Sequence, residues 1–232
     1  MRRKAALERL QAIARLRAVL RSSGDSLACQ LARRTAAPGE EGFSYRPVIA
    51  HLHAELAAVE QELTAAEDGL ADRKSRCSGL RQDQADAACR LYRRQDRTRK
   101  LLLALPDGRH HLKHAGLAAA PPQAAPLLIR HAARMVDLLR KLERTAPQPT
   151  AGLTLDYRDL ADNLTADLDK LRAAFVDVEE ARPDVTISRW RANEAIAEAD
   201  HVLPCVARIL ENLSRLAGQQ DLADRVRSAA RR

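Results

Sequence analysis

Apolar residues recur every three or four positions from Leu52 to Leu105, so 54 residues keep one helical register without a break. No proline lies between Pro47 and Pro106. Twelve of the sixteen positions on this seam are apolar. The seam runs through Leu52, Leu56, Val59, Leu63, Ala66, Leu70, Arg73, Cys77, Leu80, Gln84, Ala87, Leu91, Arg94, Thr98, Leu101 and Leu105. A 3.5-residue repeat of this length predicts a coiled-coil helix, because only supercoiling keeps such a seam facing its partner.

The same spacing predicts further helices on both sides of the long one. They are expected at about residues 3–34, 127–145, 155–181, 183–217 and 221–230. Glycine and proline lie mostly between these segments, where helices end, and Ser22–Asp25 is expected to interrupt the first. No alternating run of β-branched or aromatic residues predicts a strand. The sequence therefore predicts an all-α protein.

The order of these segments predicts a long antiparallel coiled-coil hairpin joined to a smaller helical bundle. The hairpin is expected over residues 1–105, a linker over 106–126 and the bundle over 127–232. Phe43 and Tyr45, in the turn of the hairpin, are expected to cap its end as an apolar plug, with an exposed docking tip as the alternative.

Composition narrows the class of protein. Alanine accounts for 44 residues and aromatic residues for only six, which favours closely packed helices over one bulky core. The four cysteines show no paired spacing, so a reducing compartment is expected. No apolar run is long enough to span a membrane, and no signal sequence is recognised. We therefore expect a cytoplasmic protein without membrane contact.

The net charge of +8 comes entirely from the first half of the chain, where residues 1–116 hold 22 basic and 14 acidic residues. Within the long helix, residues 47–72 carry six acids and no lysine or arginine, whereas 73–105 carry ten bases and three acids. Three bases of the first helix are expected to face three acids at the start of the long helix. The bases are Arg15, Arg17 and Arg21, and the acids are Glu55, Glu60 and Glu62. The excess positive charge then remains at the other end.

A cluster of basic residues marks that end as the candidate binding site for nucleic acid or for an acidic protein. Its members are Arg90, Arg93, Arg94, Arg97, Arg99 and Lys100, with Arg109 and Lys113 beyond. Arg94 and Thr98 leave the apolar seam open between Leu91 and Leu101, so Arg94 is expected to meet a carboxylate, a phosphate or solvent. A solvated helix end is the simplest interpretation, and clustered arginine alone does not identify a ligand.

Two other patterns resemble metal sites but are incomplete. His110, His111 and His114 lack carboxylates or cysteines at ligand spacing except Asp107, and are expected to lie in an exposed loop. Glu198-x-x-His201 has the spacing of di-iron bundles, which need a second such motif that the chain lacks. No phosphate loop, nucleophile elbow or zinc-protease motif occurs. The sequence therefore predicts no catalytic residues, metal or cofactor, and no enzyme.

The function that this pattern favours is a non-catalytic helical scaffold, or assembly subunit of a larger complex, acting through coiled-coil protein–protein contacts. A protein partner or self-association is expected. The alternative is a nucleic-acid-binding subunit that contacts the phosphate backbone through the basic end of the long helix. A bundle-core metal enzyme is a third and weaker hypothesis.

Overall fold

The computed structural model describes residues 2–36, 43–145 and 155–231. These residues form six helices and no strand, which confirms the predicted all-α fold. The helices are α1 (Arg2–Thr35), α2 (Arg46–Leu103), α3 (Gly108–His114), α4 (Ala125–Thr145), α5 (Tyr157–Leu216) and α6 (Gln220–Ala230). None of them is long and apolar enough to cross a membrane.

The chain divides into two compact units, which we call unit 1 and unit 2. Unit 1 consists of residues 1–73 and 185–232, and unit 2 of residues 74–184. Helices α2 and α5 each contribute one part to either unit. These cuts differ from the predicted boundaries at residues 105 and 127, and the predicted division into domains stays a prediction.

Unit 1 has a core built from α1, α6 and parts of α2 and α5. Ion pairs fix the directions of α1 and α2: Arg2 Nη2 lies 3.3 Å from Glu67 Oε1, and Arg17 pairs with Glu60. Low numbers on one helix therefore meet high numbers on the other, which makes the pair antiparallel. The expected pairing is confirmed for Arg17, whereas Arg15 donates to the carbonyl oxygens of Gln11 and Arg231. The hairpin of α1 and α2 does not form a core by itself, because residues of α5 and α6 belong to the same core.

A buried arginine joins α1 to α5 within unit 1. Arg9 is only 9% exposed and donates from Nε to Asp200 Oδ1 at 3.1 Å and from Nη2 to Asp200 Oδ2 at 2.9 Å. Its Nη1 donates to the carbonyl oxygen of Ala5 at 2.7 Å. A bidentate pair of this kind is both strong and directional, so it fixes the register of the two helices.

Unit 2 has its own core, formed by α3, α4 and the remaining parts of α2 and α5. The predicted stop after the long helix is present, since α2 ends at Leu103. A Cβ on Gly108 would lie 1.6 Å from the carbonyl oxygen of Leu102, so this turn requires glycine. Part of the expected linker forms helix α3. Leu112 of this helix and Leu117, just after it, are both fully buried.

Two predicted breaks do not occur, and Phe43 does not form the expected plug. Helix α5 continues through Pro183. A proline removes only one helical hydrogen bond, and the helix tolerates this loss because residues on either side of it, Val178 and Ser188, are buried and keep the helix packed. Helix α1 continues through Gly24, which lets Ile49 approach to 3.0 Å from the position of a Cβ. Phe43 is 63% exposed, so the plug prediction is wrong for this residue.

Candidate binding groove

All eight predicted basic residues belong to unit 2, but the structure does not bring all of them together. Six lie on the last turns of α2, and Arg109 and Lys113 lie on α3. Four of them form one wall of an open groove between α2 and α5 with a volume of about 500 Å³. The four are Arg90, Arg93, Arg94 and Arg97. Their spacing of three and four residues places them on one face of the helix.

The opposite wall of the groove comes from α5 and carries acids. Asp159, Asn163 and Asp167 follow one another at intervals of four residues, and Leu101 and Leu160 supply the apolar lining. The Nδ2 of Asn163 donates to Asp159 Oδ1 at 2.9 Å. The groove therefore combines a strongly basic wall with an acidic and amide wall.

Arg94 is the one arginine of the groove that is tied to the opposite wall. Its Nε lies 2.5 Å from Oδ2 of Asp167, a carboxylate that is only 7% exposed as a residue. The expected carboxylate partner of this seam arginine is thus internal. Arg90, Arg93 and Arg97 are exposed, and within the part of the chain that the structure describes they make no hydrogen bond or ion pair. Three cations therefore remain available in the groove.

Arg99 and Lys100 share one acid, Asp96. Lys100 Nζ lies 2.7 Å from Asp96 Oδ2, and Arg99 Nη2 lies 3.2 Å from Asp96 Oδ1. These contacts, that of Lys100 first, lower the pKa of the Asp96 carboxyl. Arg99 also donates from Nη1 to the carbonyl oxygen of Ala118 at 3.2 Å. Both residues are therefore engaged with their own fold and do not line the groove.

Arg109 and Lys113 lie four residues apart on α3, and both are exposed. Neither lines the groove of α2 and α5. The predicted site thus separates into a groove with four arginines, a pair of cations that share the carboxylate of Asp96, and two exposed cations on another helix.

The apolar seam is interrupted by polar residues between Leu91 and Leu102, as expected, but two of its positions differ from the prediction. The buried line passes through Leu91, Gln95, Thr98 and Leu102, so Gln95 replaces Arg94, Leu102 replaces Leu101, and Thr98 keeps its predicted place. Gln95 and Leu102 are 0% and Thr98 is 1% exposed. Leu101, which the seam prediction buried, is 36% exposed. The shift explains why Arg94 reaches the rim of the groove.

A buried polar network that the sequence did not reveal supports the same stretch of α2. Gln95 Nε2 donates to the carbonyl oxygen of Leu128 at 3.2 Å, and His131 Nδ1 donates to Gln95 Oε1 at 2.5 Å. Burial, followed by the nearby charges of Arg134 and Arg99, lowers the pKa of His131. The network therefore favours a neutral imidazole and fixes α2 against α4. In the long helix, the sequence signal for this network is the polar residue Gln95, which directly follows the seam position Arg94.

The remaining sequence motifs do not form a site with the expected chemistry. Asp200, inside the Glu-x-x-His motif, is the partner of Arg9. Among the described residues, no three or more histidine, cysteine, aspartate or glutamate side chains are arranged to hold a metal ion. The four cysteines are free thiols, and Cys77 is the buried one.

Comparison of the chain with known protein families, with curated proteins and with solved structures gave no match. The function therefore has to be argued from the groove itself.

Proposed function

We propose that the protein is a non-catalytic assembly subunit whose groove in unit 2 binds an acidic helical segment of a partner protein. The observation that carries this proposal is the row of exposed cations Arg90, Arg93 and Arg97, which have no partner among the described residues. Leaving cations unpaired on one helix face brings like charges close together, which does not stabilise the helix. An anionic partner would relieve this repulsion.

The groove is well suited to presenting these cations in a fixed arrangement. Arg94 and Asp167 form an ion pair between its two walls, and the buried side chains of Gln95 and Thr98 lie beside the arginines on α2. A preorganised surface loses less conformational entropy on binding than a mobile one. The arginines extend over about 10 Å of helix, two turns, which matches acids spaced by three and four residues on a partner helix.

The acidic wall favours a protein over nucleic acid as the partner. A phosphate backbone is negative along its whole length and would meet Asp159 as well as the arginines. An amphipathic helix can place glutamates against α2 and amide or basic side chains against Asp159 and Asn163. Such helix-in-groove recognition also uses apolar anchors, which Leu101 and Leu160 can receive. Charge complementarity then sets orientation and specificity.

The non-catalytic part of the proposal rests on the chemistry of the groove. Guanidinium groups stay protonated in proteins, so they bind anions but do not serve as general acids or bases near neutral pH. The only acid in close contact with an arginine there, Asp167, is held in an ion pair. These side chains fit recognition better than a reaction.

The test is fluorescence anisotropy with two labelled probes across a salt series. The first is a synthetic helix of about 20 residues with glutamates at i, i+3, i+4 and i+7, and the second is a DNA duplex of about 20 base pairs. A permuted peptide of equal composition, with its glutamates spread around the helix, tests the spacing. We expect the patterned peptide to bind more tightly than the permuted peptide and the duplex.

Matched variants assign the binding to the groove. A groove variant should bind the patterned peptide at least about tenfold more weakly than wild type. This variant combines Arg90→Glu, Arg93→Glu and Arg97→Glu. Arg81→Glu, Arg130→Glu and Arg144→Glu make the same change of charge at exposed sites of unit 2 outside the groove and should have little effect. If the protein bound the duplex more tightly than the patterned peptide, and the groove variant lost that binding, nucleic-acid binding would replace this proposal. An equal loss in both variants would contradict a specific groove.

A further inference from the structure

A second pocket of unit 2 lies between α3 and α4 and has a volume of about 560 Å³. It does not share residues with the arginine groove. Its polar side chains are His110, His111 and His114 from α3, and Arg134, Asp137, Lys141 and Thr145 from α4. The three histidines, expected to lie in an exposed loop, are thus part of a helix that faces another helix.

The pocket is built from two helix faces and the core beneath them. The ring centroids of His110 and His114 lie 4.4 Å apart in an edge-to-face arrangement. On α4, intervals of three and four residues keep the charged side chains on the face that also carries Leu138 and Leu142. Both leucines belong to the core of unit 2 and are less than 9% exposed. The pocket thus joins an apolar surface to a charged rim.

The charge of the rim is positive and not internally neutralised. Among the described residues, neither Arg134 nor Lys141 forms an ion pair, although Asp137 lies between them on α4. The guanidinium of Arg134 reaches the turn after α3, where its Nη1 lies 3.9 Å from the position of a Cβ on Gly116. No group of metal ligands forms in the part of the chain that the structure describes. Cationic recognition is the chemistry that remains for this set of side chains.

We propose that the pocket between α3 and α4 binds a small organic anion, with its anionic head at Arg134 and Lys141 and its apolar body against Leu138 and Leu142. Phosphate esters, sulfonates and carboxylates share this chemistry. An apolar surface with a few converging polar groups is the usual form of a small-molecule site.

The test is a histidine-ring NMR titration of the full chain with benzenesulfonate and methanesulfonate, which carry the same single charge. Chloride keeps the ionic strength equal. We expect saturable shifts of the His110, His111 and His114 rings, with a dissociation constant of about 1 mM. Benzenesulfonate should bind more tightly than methanesulfonate because it carries the apolar ring.

Paired variants separate the pocket from general charge. A variant with Arg134→Gln and Lys141→Gln should bind benzenesulfonate about tenfold more weakly than wild type. The control variant, with Arg109→Gln and Lys113→Gln, loses the same charge at exposed positions of α3 outside the pocket and should keep the wild-type affinity. Circular dichroism checks that both variants stay helical. Three results would each overturn the proposal: no saturable shift of the histidine rings, equal binding of the two sulfonates, or an equal loss of binding in both variants. None of them bears on the arginine groove.

Discussion

The core of unit 1 and the groove of unit 2 use arginine in different ways, although elsewhere in unit 2 Arg140 of α4 pairs with Asp162 of α5. In unit 1, Arg2, Arg9 and Arg17 each pair with an acid of another helix, and Arg9 is almost fully buried. In the groove of unit 2, Arg94 alone makes such a pair, and its three neighbours on the helix face are exposed without one among the described residues.

This difference separates charges that hold helices together from charges that remain available to a partner. A buried ion pair fixes register, and losing one of its members leaves a costly unpaired charge. Exposed arginines on one face contribute little to folding or oppose it slightly. Breaking an arginine pair in the core of unit 1 should therefore lower the free energy of unfolding, whereas replacing the exposed arginines of the groove should change it little. Mutations can measure this difference.

The largest effect is expected from Asp200→Ala in unit 1. The change leaves the buried guanidinium of Arg9 with the carbonyl oxygen of Ala5 and, 4.0 Å from Nη1, the carboxylate of Glu8, and it should lower the free energy of unfolding by about 2–3 kcal/mol. The estimate is below that for a fully buried pair because the Asp200 side chain is 34% exposed. Urea denaturation followed by circular dichroism measures it, with Asp25→Ala on the exposed side of α1 as the control. Equal stability of the two variants would contradict a structural role for Arg9.

A smaller effect is expected from Asp167→Ala in unit 2. The Arg94 side chain is 41% exposed, so it can turn to water when its partner is lost, and the destabilisation should be about 1 kcal/mol. The same denaturation experiment compares it directly with Asp200→Ala. If Asp167→Ala were the more destabilising variant, the contrast between the units would be wrong.

The groove arginines should matter still less for folding. Combined Arg90→Glu, Arg93→Glu and Arg97→Glu should change the free energy of unfolding by less than about 0.5 kcal/mol, since exposed charges contribute little. A loss of several kcal/mol on denaturation would show that these side chains are structural, and the groove would then lose its status as a binding surface.

The pH dependence of unit 2 provides the finest test. Because the folded state lowers the pKa of His131 below its ordinary value of 6.5, the unfolded chain takes up this proton at a higher pH. The contribution of the neutral imidazole to stability is present above pH 6.5 and is lost as the pH falls through that value towards the lowered pKa. Denaturation across this range should show a weaker pH dependence for His131→Gln than for wild type. Exposed His110→Gln should retain the wild-type slope.

The sequence predicted the helices well because most of their information is local. Periodicity located α2, and Pro106 with Gly108 located its end. Continuity of α5 through Pro183 was missed, since a local rule expects a helix to begin there, while packing on both sides keeps it intact.

The candidate site was predicted only in part, for a reason of spacing. The choice between Arg94 and Gln95 as the buried position is a shift of one residue, which periodicity alone does not decide. The pairing of Arg9 with Asp200 joins residues 191 positions apart, so no local pattern indicates it. The groove itself needs α5 beside α2, and the sequence did not specify that arrangement.

A charge-swap experiment tests the central claim, that the groove recognises an acidic helix through its arginines, most directly. The patterned peptide and a counterpart with lysine at the same positions are each titrated into wild type and into the variant with glutamate at positions 90, 93 and 97. The account predicts that the variant binds the acidic peptide more weakly and the lysine peptide more tightly than wild type does. The variant and the lysine peptide together should regain most of the affinity that the variant loses for the acidic peptide. Failure of the lysine peptide to bind the variant better than wild type would contradict it.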